Sequence, residues 1–207
     1  MTPDSQELLL EVKKIYSKQV SETGLGIYSE PDWNRILQAF DIVKGQSVLD
    51  VGIGNGALVN MLKKSNNFDK VVGIDIKHNA FLELLDEIDF RTMNVLDLKF
   101  QDNEFDTVVC MEVLEHLEIK DFYTGLSELR RVAKNQLVLT VPFREKEPVW
   151  WHDKPGGHRQ SFSLRKLNTI FPFGKAHLID RPGGVHWIMI LEDRKALEYY
   201  KGFSLLE

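Results

Sequence analysis

Cysteine is nearly missing from this chain: Cys110 is the only one in 207 residues. That excludes an internal disulfide, and a lone thiol set between Val109 and Met111 reads as a small buried hydrophobe in a reducing compartment. Long apolar runs are missing too, since no stretch approaches the ~20 residues that a membrane helix needs. Residues Met1 to Glu11 carry Asp4 and Glu7 without a basic start or an apolar run, so no secretory leader is expected and the cytoplasm is the expected location. There is no long basic run either. The 26 Lys and Arg against 31 Asp and Glu leave a formal charge of −5, which argues against a phosphate-binding surface and nucleic acid as the partner.

Repeats, linkers and low-complexity tracts are also lacking, which leaves an ordinary globular composition of 43% hydrophobic and 28% charged residues. The length suits one domain over 1–207, with N-terminal helices in 1–44 and a core in 45–192. A domain of this size buries roughly 70% of its unfolded surface and needs no metal or disulfide for stability.

Leu8, Leu9, Val12, Ile15 and Tyr16 recur at helical spacing between Pro3 and Val20, and Gly24-Leu25-Gly26 breaks the pattern. Trp33, Ile36, Leu37 and Phe40 define a second helix with Pro31 in its first turn. From Ser47 the texture changes. Ser47 to Val51, Lys70 to Asp75, Phe90 to Val95, Phe105 to Met111 and Gln136 to Val141 are strand-length runs rich in Val, Ile or Leu, as strands buried on both faces require. Helical segments at Ala57 to Lys64, Asn79 to Glu87 and Ile119 to Ala133 alternate with them. This order predicts an α/β fold, a Rossmann-like doubly wound and mainly parallel sheet with helices on both faces. After a helix at Phe162 to Ile170, strands at Lys175 to Asp180 and Val185 to Leu191, joined through Arg181 to Gly184, predict an antiparallel C-terminal edge hairpin.

The first strand runs into Asp50-Val51-Gly52-Ile53-Gly54-Asn55-Gly56 and then a helix. Glycines permit φ > 0 and a close backbone approach to a ligand, and the helix N-terminus offers free N–H groups to an anion. Asp75 ends the second strand, where a carboxylate can accept from both ribose hydroxyls, so the ligand is expected to be an adenosine derivative.

The spacing of Gly52, Gly54 and Gly56 departs from the dinucleotide pattern and resembles the class I S-adenosylmethionine-dependent methyltransferases. Asp75, then Asn94-Val95-Leu96-Asp97-Leu98, then Phe105 to Leu117 follow in the order that family shows. The resemblance implies S-adenosylmethionine as cofactor. It would set Gly52, Gly54 and Gly56 against the methionine moiety, Asp75 on the ribose, Ile76 beside the adenine, Asn94 and Val95 at the adenine edge and Met111 beside the cofactor. Asp50 would touch the ligand or organise the loop through backbone hydrogen bonds. Tyr28, and less directly Tyr16, would close over the site from the N-terminal segment.

Methyl transfer is an in-line displacement at an activated carbon, so the protein mainly aligns the nucleophile, and a base is needed only for some acceptors. Glu112, His116 and His158 are the candidate catalytic residues. Glu112 with Glu115 or His116 would share one face of a turn, able to supply a base or to hold a divalent cation. That stretch resembles the metal-binding segment of ubiquinone-pathway O-methyltransferases and of small-RNA 2′-O-methyltransferases. Against this stands a purely structural role in the strand-to-helix turn, and no metal is assigned. A long loop from Pro142 to Arg159, with Trp150 and Trp151, would form a substrate lid, or pack down while Ser163 caps the next helix. The expected activity is methylation of an O or N atom of a small-molecule acceptor, with no membrane partner. Metal-assisted RNA 2′-O-methylation and a non-catalytic cofactor-binding protein are the alternatives.

Overall fold

The computed structural model describes residues 3–23, 28–79, 82, 85, 88–143, 157–180 and 186–203. The expected lid at 144–156, the tryptophans at 150 and 151, the glycine break at 24–26 and the hairpin turn at 181–184 lie outside them, as does most of the expected helix at 79–87. In chain order the elements are α1 (Pro3–Thr23), α2 (Glu30–Ile42), β1 (Ser47–Val51), α3 (Ala57–Lys64), β2 (Lys70–Asp75), β3 (Asp89–Thr92) and β4 (Phe105–Met111). A single 3-10 turn (Leu114–His116) follows, then α4 (Ile119–Val132), β5 (Ala133–Phe143), α5 (Leu164–Ile170), β6 (Lys175–Ile179), β7 (His186–Asp193) and α6 (Arg194–Phe203).

The strands form one sheet in the order β3-β2-β1-β4-β5-β7-β6. The first five are parallel, and β7 runs antiparallel to both β5 and β6, so the expected C-terminal hairpin is present. The period-two alternation of the strands divides the core between the two faces. Leu49, Val51, Val108, Cys110, Leu137 and Leu139 pack with Phe122, Leu126 and Leu129 of α4, Leu167 of α5 and Leu197 of α6. Val48, Val71, Val109 and Val138 face the other way, toward Val12 of α1, Ile36 and Leu37 of α2, and Leu58 and Leu62 of α3. Both faces being apolar is why these strands read as continuous hydrophobic runs.

Among the strands, the boundaries shift most in β3 and β5. The third strand ends at Thr92 because Asn94 turns the chain: its side-chain oxygen accepts the Leu96 N–H at 3.0 Å, and Asp97 N–H reaches the Asn94 carbonyl. The fifth strand is longer than its apolar run, from Ala133 to Phe143, because β7 pairs along it from Gln136 to Phe143. At the N-terminal side, Ser29 caps α2 in a capping box with Asp32, which fixes the approach of this helix to the sheet. Strand order reverses at β1, whose neighbours β2 and β4 lead their connections to opposite sides. The crevice beyond the carboxyl ends of β1 and β4 is where open α/β sheets take ligands.

Candidate active site

The glycine loop leaves β1 at that crevice. Gly52 and Ile53 both donate to the Ile74 carbonyl, at 2.8 and 3.2 Å, and Gly54 N–H donates to Asp75 Oδ2 at 3.1 Å. Asn79 reaches Asn55 Oδ1 at 2.6 Å, and the Tyr16 hydroxyl donates to the Asn55 carbonyl at 2.7 Å. Gly54 has φ +53, and a Cβ there would meet nothing within 4 Å, so the loop backbone faces open space at its middle glycine. Gly56 has φ +75 as it caps α3, and a Cβ there would press on Leu82 at 2.9 Å. One glycine leaves room for a ligand, the other for the core.

A cavity of about 200 Å³ opens beside this loop, lined by Tyr28, Arg35, Asp50, Gly52, Gly54, Ala57, Met111 and Glu112 among others. Of the expected cofactor residues it gathers Tyr28, Asp50, Gly52, Gly54 and Met111. Gly56 sits behind it, while Asp75, Ile76, Asn94 and Val95 lie outside its lining. Ile76 is 62% exposed, an apolar side chain held in solvent beside Asp75, as a surface for a planar ring would be. Asn94 is exposed, with its oxygen engaged by Leu96. The Val95 side chain is buried in the α4 face of the core, which leaves only its backbone to border a ligand.

Asp50 makes no side-chain hydrogen bond among the described residues; the loop is organised instead by Ile74, Asp75, Asn79 and Tyr16. Alternation along β1 turns Asp50 toward α2 and α3, where burial, reinforced by the Asp75 charge and opposed by Arg35, pushes its pKa up to about 7. Tyr28 lies against the backbone of Asn55 and Ala57 where the loop enters α3, and burial raises its hydroxyl pKa. Tyr16 is a core residue, edge-on to Tyr28 and Trp33 at 5.5 and 5.4 Å between ring centres, and does not cover the cavity.

Glu112 follows β4 with φ +57, a strained conformation for a side chain of its size. Its N–H donates to the Thr140 carbonyl, the Thr140 hydroxyl donates to its Oε1 at 3.0 Å, and Arg35 Nη1 stands 3.2 Å from the same oxygen. Burial raises its pKa, opposed by Arg35, by hydrogen bonds from Thr140 and Trp187, and by the proximity of His158. Glu112 therefore does not share a face with Glu115 and His116, because its backbone turns the carboxylate toward α2 and β7.

The cluster that does form is Glu115, His116 and His158, whose ligating atoms lie within 4.8 Å of one another. Glu115 is fully buried, and its backbone carbonyl accepts from Arg159 at 2.6 Å and Gln160 at 2.9 Å, which clamps the segment carrying His158 onto the turn after β4. The two imidazoles meet edge to face at 5.0 Å, and His116 Nδ1 lies 3.3 Å from the Gly157 carbonyl. Two imidazoles and a carboxylate suit either a divalent cation or a proton acceptor. Further along, Ser163 caps α5 through Lys166 N–H at 3.3 Å.

Arg35 escaped the sequence reading, and Trp187, which that reading takes for a packing residue of the last strand, was not expected at the site. Arg35 lies on the inner face of α2 among the buried Trp33, Ile36, Leu37 and Ala39, and a cation within a helix's apolar stripe is the signal that marks it. Trp187 reaches the site because β7 is antiparallel and begins at the rim where β5 ends.

Residues 49–140 match the family described as methyltransferase domain, and the Rossmann-like fold is one shared with solved methyltransferase structures. Among individual proteins, the chain is 35% identical over 114 residues to an uncharacterized protein of Methanocaldococcus jannaschii, covering 55% of this chain and 48% of that one. It is 40% identical over 95 residues to the ubiquinone biosynthesis O-methyltransferase of Dechloromonas aromatica, covering 42% and 38%. The chain thus spans less than half the length of these curated relatives. The structure of Burkholderia thailandensis 1,6-didemethyltoxoflavin-N1-methyltransferase, with bound 1,6-didemethyltoxoflavin and S-adenosylhomocysteine, superposes with a TM-score of 0.60 at 15% identity, covering 92% of this chain and 89% of that one. No helix among the described residues is long and apolar enough to cross a membrane.

Proposed function

We propose that this protein transfers a methyl group from S-adenosylmethionine to an oxygen or nitrogen atom of a small-molecule acceptor. The observation that carries this reading is the cavity at the carboxyl ends of β1 and β4, where the open face of Gly54, the Asp50 carboxylate and Met111 meet. These residues fit the cofactor: Asp75 would take the ribose hydroxyls, the glycine loop and the α3 N-terminus the amino-acid end, and Ile76 the adenine face. When bound, S-adenosylmethionine supplies a methyl carbon already activated by its sulfonium. The chain's own residues then have to align the acceptor and exclude water. His116 and His158, beside Glu112 at the same rim, are the groups that would take a proton from an acceptor hydroxyl or amine. The relatives named for ubiquinone O-methylation and the toxoflavin-type N-methyltransferase support a small acceptor.

One observation favours a second reading. Glu115, His116 and His158 would hold a divalent cation able to polarise a hydroxyl, as metal-assisted 2′-O-methylation of an RNA end would use. Incubation with methyl-labelled S-adenosylmethionine and cell extract, with and without chelator, separates the two. Label in a metabolite fraction regardless of chelator is expected. Chelator-sensitive label in RNA would replace this reading with the second, and tight cofactor binding without labelling of any fraction would make the protein a non-catalytic binder.

A further inference from the structure

The crevice of the glycine loop opens at the carboxyl ends of the strands; another and larger cavity, of about 560 Å³, opens at the amino ends of β4 and β5. That volume falls within the ~300–1,000 Å³ of small-ligand sites. Tyr123, Ser127, Arg130 and Arg131 recur at helical spacing, so one face of α4 forms a wall, and Lys201 enters from the end of α6. Three cations and a single carboxylate, Asp102, line the space. Arg131 has no donor to spare: Nε and Nη2 bind Glu128 at 2.6 and 2.9 Å, Nη1 binds Asp102 at 2.8 Å, and the remaining N–H groups reach the Leu98 and Phe100 carbonyls. Arg130 commits Nε and Nη2 to Glu192 and the Ile170 carbonyl, while its Nη1 has no hydrogen-bond partner among the described residues and is not buried. Lys201 makes no ion pair among the described residues. Its ammonium donates to two neutral acceptors, Asn103 Oδ1 and the Ala133 carbonyl, which leaves one N–H. Partial burial lowers its pKa, opposed by the charges of Asp102 and Glu198, as for an ammonium short of a counter-charge.

We propose that this cavity is a second ligand site that takes an aromatic acid, its planar ring against Tyr123 and its carboxylate between Lys201 and Arg130 Nη1. Unused N–H groups on two cations give a carboxylate charge-assisted bonds, and the exposed Tyr123 ring offers a face for stacking. Arg131 is matched by Glu128 and Asp102, and Arg130 by Glu192, so Lys201 carries the charge left without an ion pair. One unmatched charge suits a monoanion and not a phosphate ester. The site shares no lining residue with the cofactor cavity, so the inference stands apart from the reaction assigned above.

Calorimetric titration with 2-naphthoate and with 2-naphthamide, which keeps the ring and loses the charge, tests the assignment. The wild type should bind the acid about tenfold or more tightly than the amide. Saturating S-adenosylmethionine should leave the isotherm of the acid unchanged, because the two cavities lie at opposite ends of the sheet. Lys201→Met should bring the two ligands near parity, and Lys201→Arg, which keeps the charge, should retain most of the preference. Tyr123→Ser, at a residue 52% exposed and so of little weight in folding, should weaken both ligands severalfold and leave their ratio alone. Equal binding of acid and amide by the wild type, or an undiminished preference in Lys201→Met, would overturn the carboxylate placement, and unchanged affinities in Tyr123→Ser would overturn that of the ring. No heat from the acid, or its displacement by S-adenosylmethionine, would overturn the site.

Discussion

The hydroxyl of Tyr16, on the first helix, donates a 2.7 Å hydrogen bond to the carbonyl of Asn55 in the glycine loop. This ties the N-terminal segment to the ligand-facing backbone through a residue that is itself buried. Tyr16→Phe removes the donor and leaves the loop carbonyl unpaired, a loss of about 1 kcal/mol. For a domain of this length the melting midpoint should fall by roughly 2–4 °C. The S-adenosyl ligand should bind severalfold more weakly, since the loop loses a tether. Unchanged melting and unchanged titration would show the bond to be incidental.

Gly54 and Gly56 should respond in opposite order to the same change. Both have positive φ, so alanine at either costs about 1–2 kcal/mol of backbone strain. At Gly56 the added Cβ also meets Leu82 and Leu85, at 2.9 and 3.2 Å, which adds roughly 1 kcal/mol or more of overpacking. At Gly54 it meets nothing and enters the space offered to the ligand. Denaturant midpoints should therefore rank Gly56→Ala as the less stable variant, and ligand titration should rank Gly54→Ala as the weaker binder. A larger stability loss at Gly54 would refute this division of roles.

The sheet was legible in the sequence because a strand buried on both faces must be almost wholly apolar: Val71 to Ile74 and Val108 to Cys110 are, and Val48 to Val51 is interrupted only by Asp50. The glycine loop was equally plain, since its φ values admit few other residues. What the sequence could not give was depth and direction. Nothing in Glu112-Val113-Leu114-Glu115-His116 announces that the first residue adopts φ +57 and turns its carboxylate away, or that His158, forty-two residues beyond His116, completes the cluster. Arg35 is marked only as a cation within an apolar stripe, and nothing near it in the chain says that Trp187 is brought over it by a late strand.

Asp50 should leave a signature in the pH dependence of stability. Its ordinary pKa is 3.8 and burial raises it to about 7, so between those values the folded state holds a proton that the unfolded state has released. Its contribution is fully present below about pH 4 and is lost as pH rises through about 7. The difference in unfolding free energy between the wild type and Asp50→Asn should fall across that window and stay flat above it. Urea midpoints for both proteins from pH 4 to 9 measure it; a difference independent of pH would show that Asp50 ionises as an exposed carboxylate does.

On the far face, Arg130 grips the fully buried Glu192 with bonds of 2.8 and 2.6 Å, lies 3.5 Å from the centre of the Tyr200 ring and donates to the Ile170 carbonyl. Glu192→Ala strands that cation and should cost about 3–5 kcal/mol, while replacing both partners by apolar residues of similar volume should recover most of the loss. The denaturant midpoints of the single and double variants decide between a paired charge and mere packing.

The antiparallel course of β7 has a consequence for how the protein matures. During synthesis the glycine loop, Asp75 and Glu112 all emerge with the parallel half of the sheet, and Arg35 emerges before any of them. The ring on which Arg35 rests arrives only with residue 187, and the strand bearing it must insert between β5 and β6. A nascent chain that stops short of that strand holds the glycine loop without the ring beside Arg35, so this side of the cavity is completed only once β7 has paired with β5.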